Sequence, residues 1–250
     1  DLPQQRHNLL RSGFFLRHGQ APFQVSFYQN AWYKKSQSGQ DHRFVFIRGA
    51  IITAELTIYS FALGLVIGLP LGLMRDSKLS FLRYPSAAII EFFRSTPTLV
   101  QLVWIYYALP IALGIRLSAM VAVTIGLGLH TAAYFAEIFR AGVASIDQGQ
   151  FWAAKSIGMT YTQSMRRIIL PQAIRRMVPP FINELANLIK LTTLGSVLAV
   201  YELLHESNNL INTTFRPFEI YTALALAFFI IIFPMIYLSR RLELYWARRA

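Results

Sequence analysis

Residues 218–239 read FEIYTALALAFFIIIFPMIYLS, and this stretch decides the class of the fold. Its one charged residue is Glu219, close to the start. A helix needs about 20 consecutive apolar residues to cross the hydrocarbon core of a bilayer. The stretch therefore predicts a transmembrane helix near the carboxyl end of the chain.

Four other segments are also long and mostly apolar, but they contain more charged residues or are less purely hydrophobic. Residues 49–73 contain one charge, Glu55, and residues 118–139 contain one carboxylate near their end. Residues 84–109 and 177–200 each carry one acidic and one basic side chain. We therefore predict an all-α membrane protein with about five transmembrane helices.

The overall composition agrees with a membrane location. Hydrophobic residues make up 54% of the 250 residues and charged residues 14%, whereas a soluble domain carries roughly 25% charge. The formal charge of +12 suits either nucleic acid or a membrane surface. The long apolar runs favour membrane lipid, and we expect no nucleic-acid partner. The chain has no cysteine, which excludes disulfides, thiolate metal sites and thiol nucleophiles.

Positive charge is unevenly distributed among the segments that join the spans. If the chain crosses the membrane five times, three of the connecting segments lie on the same side: residues 75–83, residues 139–176 and the tail after residue 239. Together they hold thirteen Arg and Lys residues. The short loops opposite hold only Arg116 and Arg216. The positive-inside rule then places the long middle loop and the C-terminus in the cytoplasm.

This threading divides the chain into two parts. Residues 1–48 are too polar to span and are expected to form an extracytoplasmic or interfacial segment. Residues 49–245 are expected to form the transmembrane domain, whose cytoplasmic loop covers about residues 141–171.

One predicted span carries a polar stripe, within the sequence PPFINELANLIKLTT of residues 179–193. Asn183, Asn187 and Lys190 recur at spacings of four and three, so they share a helix face. A polar face inside a bilayer must meet protein or a water-filled cavity. Interhelical hydrogen bonding is one interpretation, and a solute path is favoured because a carboxylate and an amine are both present. The candidate path comprises Asn183, Glu184, Asn187, Lys190, Thr192 and Thr193, with Arg94, Thr96 and Gln101 from residues 84–109.

The remaining polar groups in the spans have simpler interpretations. Glu137 and Arg140 lie three residues apart and predict an intrahelical ion pair. Glu91 and Arg94 have the same spacing, and both a pair and a functional role stay open. His130 is expected to be a packed, hydrogen-bonded residue, and no metal site is predicted.

Small residues also mark a packing surface. Gly64, Gly68 and Gly72 recur at every fourth position and predict a close helix–helix contact.

The long loop and its flanks, residues 137–176, read EIFRAGVASIDQGQFWAAKSIGMTYTQSMRRIILPQAIRR. Ser145 and Asp147 can cap a short helix, and Gly158 is well placed to end it. A second, amphipathic helix follows and is expected to be interrupted by Pro171. Two short helices at a turn form a protrusion suited to docking into a groove of another protein.

The loop resembles the permease subunits of bacterial binding-protein-dependent ABC importers. Their signature is Glu-Ala-Ala, three residues, Gly, nine residues and Ile-x-Leu-Pro, and this chain matches it at Ala153, Ala154, Gly158, Ile168, Leu170 and Pro171. Trp152 stands in place of the glutamate. In the family, this loop is a coupling helix that sits in a cleft of the ATP-hydrolysing subunit. The resemblance implies that contact for Asp147, Gln150, Trp152, Ala153, Ala154 and Gly158.

Further segments resemble the polar amino acid branch, including the general L-amino-acid and histidine–glutamine permeases. They are EFFRSTPTLVQLVWIYYALP at 91–110, GQFWAAKSIGMT at 149–160, LPQAIRRMVPPFINE at 170–184 and KLTTL at 190–194. The resemblance covers roughly residues 45–245.

The resemblance implies a multi-pass subunit of the bacterial inner membrane that works by alternating access. Its implied partners are a second, paralogous permease chain, two ATP-binding subunits, a periplasmic binding protein and an amino acid substrate. We expect the chain not to be an enzyme and to have no cofactor, because nucleotide motifs are not found. ATP and Mg²⁺ would bind the partner ATPase.

The charges of the candidate path residues indicate which amino acids the path would accept. Lys190 and Arg94 could meet a carboxylate, and Glu184 could meet an ammonium group. This balance favours neutral polar or acidic amino acids. A basic amino acid importer and an ion-gradient-driven secondary transporter stay open as alternatives.

Overall fold

The computed structural model describes residues 42–247, with side chains from 44 to 246. Most of the predicted outer segment, residues 1–48, lies outside this part. The described residues form helices and no strands: α1 (His42–Arg75), α2 (Ser80–Ser95), α3 (Thr98–Leu113), α4 (Ala119–Ala144), α5 (Gln148–Ser156), α6 (Tyr161–Leu198), α7 (Leu203–Thr214) and α8 (Pro217–Ala247).

The long helices are the expected membrane spans. By length and composition, Phe44–Arg75, Ala119–Ala144 and Pro217–Trp246 can each cross a bilayer. Two bent pairs, α2–α3 and α6–α7, raise the number to five among the described residues if each pair is one span. The prediction of an all-α fold with about five spans is confirmed. Helix α1, which contains the first predicted span, begins at His42.

The predicted span at 84–109 is not a single helix but the bent pair α2–α3. The chain bends by 106° between α2 and α3, because Pro97 disfavours a helical Thr96, which is extended with φ −100° and ψ 143°. The Gln101 amide nitrogen donates to the carbonyl oxygens of Phe93 at 2.8 Å and Thr96 at 3.0 Å. This side chain therefore supplies donors that the broken helix lacks.

Pro171 does not interrupt the second loop helix, contrary to the prediction. The helix continues through a π turn, Met165–Ile169, in which the Leu170 N–H donates to the Met165 carbonyl. Widening the turn by one residue lets the helix continue where proline removes a hydrogen bond and crowds the preceding turn. The same arrangement precedes Pro110 in α3.

Helix α4 lies at the centre of the described fold, and α1 packs along much of its length. Glycine explains how closely the two helices approach. A Cβ on Gly68 would lie 2.6 Å from the Ala132 carbonyl oxygen, and a Cβ on Gly64 would lie 2.8 Å from the Thr131 methyl group. The predicted glycine ridge is therefore a packing face. Helix α8 packs on α6 at the periphery.

Candidate functional site

The polar stripe predicted for residues 183–193 lies on α6, but its members occupy different surroundings. Asn183 and Lys190 are exposed, and Asn187 is half-buried. Glu184 is 8% exposed. The stripe therefore runs along the boundary between the exposed face of α6 and the face that is buried against the rest of the chain.

Glu184 is a buried carboxyl group without a full set of partners. Its side chain interacts with that of Asn187 and, electrostatically, with the Lys190 ammonium group. The Oε1 atom is buried without a hydrogen-bond partner. An unsatisfied buried polar atom costs free energy and therefore needs an explanation. A hydrogen bond donated by a bound ligand would supply the missing partner.

Thr192 and Thr193, the two threonines of the candidate path, bond to carbonyl groups of their own helix, where α6 tightens into the 3-10 turn Thr192–Leu198. Thr192 Oγ1 donates to the Ile189 carbonyl at 2.7 Å, and Thr193 Oγ1 donates to the Lys190 carbonyl at 2.6 Å. Thr192 is fully buried. Their hydroxyl hydrogens are therefore engaged, and only acceptor capacity remains for another group.

Arg94, Thr96 and Gln101 gather at the α2–α3 bend. The Gln101 amide nitrogen also lies 2.6 Å from the Thr96 hydroxyl oxygen, so Thr96 and Gln101 hold the bend together. Gln101 Oε1 and Arg94 Nε are buried without hydrogen-bond partners. The bend thus presents one free acceptor and one free donor.

Helix α4 lies beside both groups. The α2–α3 pair and α6 each pack on α4, and Leu102 of α3 and Leu188 of α6 belong to the same buried cluster. A cavity lined by both groups would therefore also be lined by α4.

An ion-pair network lies at the ends of α1, α2 and α4. The predicted pair of Glu137 and Arg140 is present, with Arg140 Nε 3.1 Å from Glu137 Oε2. Glu91 and Arg94 are also paired, at 3.7 Å. Arg75 joins the two pairs from α1, at 3.2 Å from Glu91 and 3.4 Å from Glu137.

His130 is packed and hydrogen-bonded, as predicted. Its Nδ1 atom lies 3.2 Å from the Thr98 hydroxyl oxygen, and its ring contacts Tyr134 at 4.8 Å between centroids. Within residues 42–247, no group of three or more potential ligands could hold a metal ion.

The long loop folds into a compact segment, residues 145–161, which contains α5 and is called the elbow here. Asp147 caps α5 by accepting from the Gly149 N–H at 2.6 Å, and Gly158 follows its end with φ +78°, a conformation that favours glycine. The suggestion that Ser145 also caps α5 is wrong, because its hydroxyl donates to the Gly142 carbonyl. Thr160 begins α6 with a capping box.

The inner face of α5 is fixed to its neighbours. Ala154 is 1% exposed, and Phe151 packs on a cluster formed by the end of α4 and the start of α6. Gln172 donates to the Gln150 side chain at 3.4 Å, and Arg176 donates to the Ser145 carbonyl. The elbow is therefore anchored at several points along its length.

The outer face of the elbow exposes large apolar side chains, with polar ones such as Gln148 and Lys155 also exposed. Trp152 is 67% exposed, Ile157 75% and Tyr161 68%, and Ala153 is also exposed. The tryptophan that replaces the signature glutamate thus lies on the outer face and takes no part in internal packing. Large aromatic side chains of this kind are typical anchors of protein interfaces.

Two contacts in the structure were not predicted from the sequence. Arg75 was not linked to the two ion pairs, since a loop arginine has no periodic signal. Glu202 was also missed; it is fully buried and caps α7 by accepting from the N–H groups of Leu204 and His205, both at 2.8 Å. An acidic residue just before a helix start was the available signal.

Comparison with known proteins identifies the family. Residues 45–248 match the family described as "Binding-protein-dependent transport system inner membrane component". The chain belongs to this family, which confirms the resemblance predicted from the loop. It is therefore a permease component of the inner membrane.

Related proteins with assigned names are also ABC transporter permeases. The chain is 41% identical over 185 residues to the "Probable amino-acid ABC transporter permease protein YckA" of Bacillus subtilis, covering 74% of this chain and 81% of the relative. It is 34% identical over 207 residues to the "Probable glutamine ABC transporter permease protein GlnM" of the same organism, covering 81% and 95%.

Solved structures share the fold. A crystal structure of an amino acid ABC transporter with histidines matches with a TM-score of 0.75 and 32% identity, covering 90% of this chain and 100% of that one. The MetNI methionine ABC transporter, in an inward-facing conformation, matches with a TM-score of 0.67 at 22% identity, covering 79% of this chain and 94% of that one. The second likeness concerns the fold alone.

Proposed function

We propose that this chain is the permease subunit of an ATP-driven, binding-protein-dependent amino acid importer. The observation that carries the proposal is the anchored elbow, whose outer face exposes large apolar side chains, at the position of the family signature. The names of its curated relatives support an amino acid as the cargo.

The elbow is the proposed docking site for an ATP-hydrolysing subunit. Buried Ala154 and Phe151 hold α5 against α4 and α6, so a force applied to the exposed Trp152 reaches both helices. Because interiors are close-packed, such a displacement is transmitted without being absorbed locally. ATP and Mg²⁺ bind to the partner subunits in this scheme, and the permease chain supplies no catalytic group.

The assembly we propose contains a second permease chain, two ATP-binding subunits and a periplasmic binding protein. A paralogous second chain is favoured, because Trp152 departs from the signature in a way that suits one member of an unequal pair. In this assembly the elbow and the C-terminus lie in the cytoplasm, which the distribution of Arg and Lys supports.

The translocation path is proposed to include the stripe on α6 and the group at the α2–α3 bend. Glu184 would accept from the substrate ammonium, and the cations Lys190 and Arg94 would meet its carboxylate. With one carboxylate and two cations, the path suits neutral polar or acidic amino acids better than basic ones. Support comes from the free oxygen of Glu184 and the free Nε of Arg94.

Uptake by the reconstituted complex tests the proposal. Vesicles holding the permease chains and ATPase subunits should import a labelled amino acid only with internal ATP and external binding protein. Unlabelled glutamine or glutamate should compete better than lysine or arginine. Uptake driven by an ion gradient without ATP would instead support a secondary transporter, and stronger competition by lysine or arginine would reverse the substrate assignment.

A further inference from the structure

Arg75, the last residue of α1, connects three helices by ion pairs. Its guanidinium group spans a carboxylate on α2 and a carboxylate on α4, at 3.2 Å from Glu91 and 3.4 Å from Glu137. The planar, two-sided guanidinium group of arginine suits such a bridge. A lysine has a single charged atom and could not hold both carboxylates in this way.

The two connections differ in kind. The Arg75 Nη2 atom donates a hydrogen bond to Glu91, whose side chain is 53% exposed, so solvent screens this pair. The Arg75 Nη1 atom lies 3.4 Å from Glu137 without a hydrogen bond, and these two side chains are only 20% and 21% exposed. The connection between α1 and α4 is therefore an ion pair that is less screened by solvent.

On α4, the network lies directly before the elbow. Glu137 and Arg140 occupy the last turns of α4, which ends at Ala144, and Asp147 then caps α5. Because α5 is anchored to the end of α4, a movement of the elbow displaces Glu137.

On α2, the network reaches the bend. Arg94 pairs with Glu91 at 3.7 Å, and its guanidinium group lies over the Tyr134 ring, 5.5 Å from the centroid. Tyr134 contacts His130, which is hydrogen-bonded to Thr98 at the start of α3. Contacts thus run without interruption from the end of α4 to the α2–α3 bend.

We propose that Arg75 is a positioning residue that transmits movement of the elbow to the α2–α3 bend during transport. It holds the ends of α1, α2 and α4 as one unit, so the bend moves when the elbow moves. This inference rests on the proposed function, in which the elbow receives force and the bend borders the path.

The experiment compares Arg75→Gln, Arg75→Lys, Glu137→Gln and the Arg75→Gln/Glu137→Gln double variant in the reconstituted complex. Lys78→Gln is the matched control, because it removes one positive charge from an exposed side chain three residues away. The measured quantities are amino acid imported per ATP hydrolysed, basal ATP hydrolysis and the melting temperature of the complex.

Both Arg75 variants should lower import per ATP by about fivefold or more, the usual scale of coupling between sites. Basal hydrolysis and melting temperature should stay near those of Lys78→Gln. Glu137→Gln should give a similar loss, and the double variant should lose no more than either single variant, because the residues act as one unit.

Several results would overturn the inference. Arg75→Lys could import as well as the control, the two single losses could multiply in the double variant, or the melting temperature could fall with import per ATP unchanged. Failure of the wild-type complex to import any amino acid with ATP would instead refute the proposed function, and this inference with it.

Discussion

Glu184 and Lys190 lie within two turns of α6, yet one is buried and the other is exposed. The spacing predicted a polar face that includes Lys190, and Glu184 was a further path candidate beside it, but the pattern alone could not show which of the two is buried. Burial depends on which neighbouring helix covers each side of α6, and that is set by contacts distant in sequence.

Replacing these two residues separates a solute path from interhelical packing. We expect Glu184→Gln and Lys190→Met each to lower uptake about tenfold, the value of one hydrogen bond to a charged group. Assembly with the ATPase subunits should be unchanged.

Glu219→Gln is the control for this comparison, because it neutralises an exposed carboxylate at the start of α8. If the two α6 variants transport as well as this control, the stripe is packing and not a path.

At the scale of helices, the packing of α1 on α4 was the most predictable feature. The four-residue spacing of Gly64, Gly68 and Gly72 is a local pattern, and it identified the contact face without knowledge of the partner helix. Such a face works only if no side chain separates the two backbones.

Enlarging Gly68 tests this contact. The added methyl group of Gly68→Ala would lie 2.6 Å from the Ala132 carbonyl oxygen and 2.9 Å from Phe135 Cβ. Such overpacking costs about 1–3 kcal/mol, so the melting temperature of the purified complex should fall by several degrees.

Val66→Leu adds one carbon to an exposed side chain of the same helix, 71% exposed, and should leave the melting temperature unchanged. Equal melting temperatures for the two variants would contradict the packing assigned to Gly68.

Helix breaks were harder to predict than helix contacts. Pro97 and Pro171 look alike in sequence, but the chain bends sharply at the first and continues at the second. The difference lies in compensation: Gln101 satisfies the broken end at Pro97, and a π turn carries the helix past Pro171. Neither response follows from the proline itself.

At the scale of the whole chain, the two proposed functional regions lie on elements that both pack on α4. The α2–α3 pair and α6 contact this helix, and α4 ends just before the elbow. Composition and charge predicted the spans and the loop, because both depend on summed residue properties. The central place of α4 depends on tertiary packing and could not be predicted in this way.

The central claim is that force enters this chain through the outer face of the elbow. A photoreactive amino acid placed at Trp152 in the reconstituted complex tests it directly, with Ile111, 84% exposed at the far end of α3, as the control position. We predict a crosslink from position 152 to the ATP-hydrolysing subunit and none from position 111. A position 152 that crosslinks to no ATP-hydrolysing subunit, with or without nucleotide, would contradict the account.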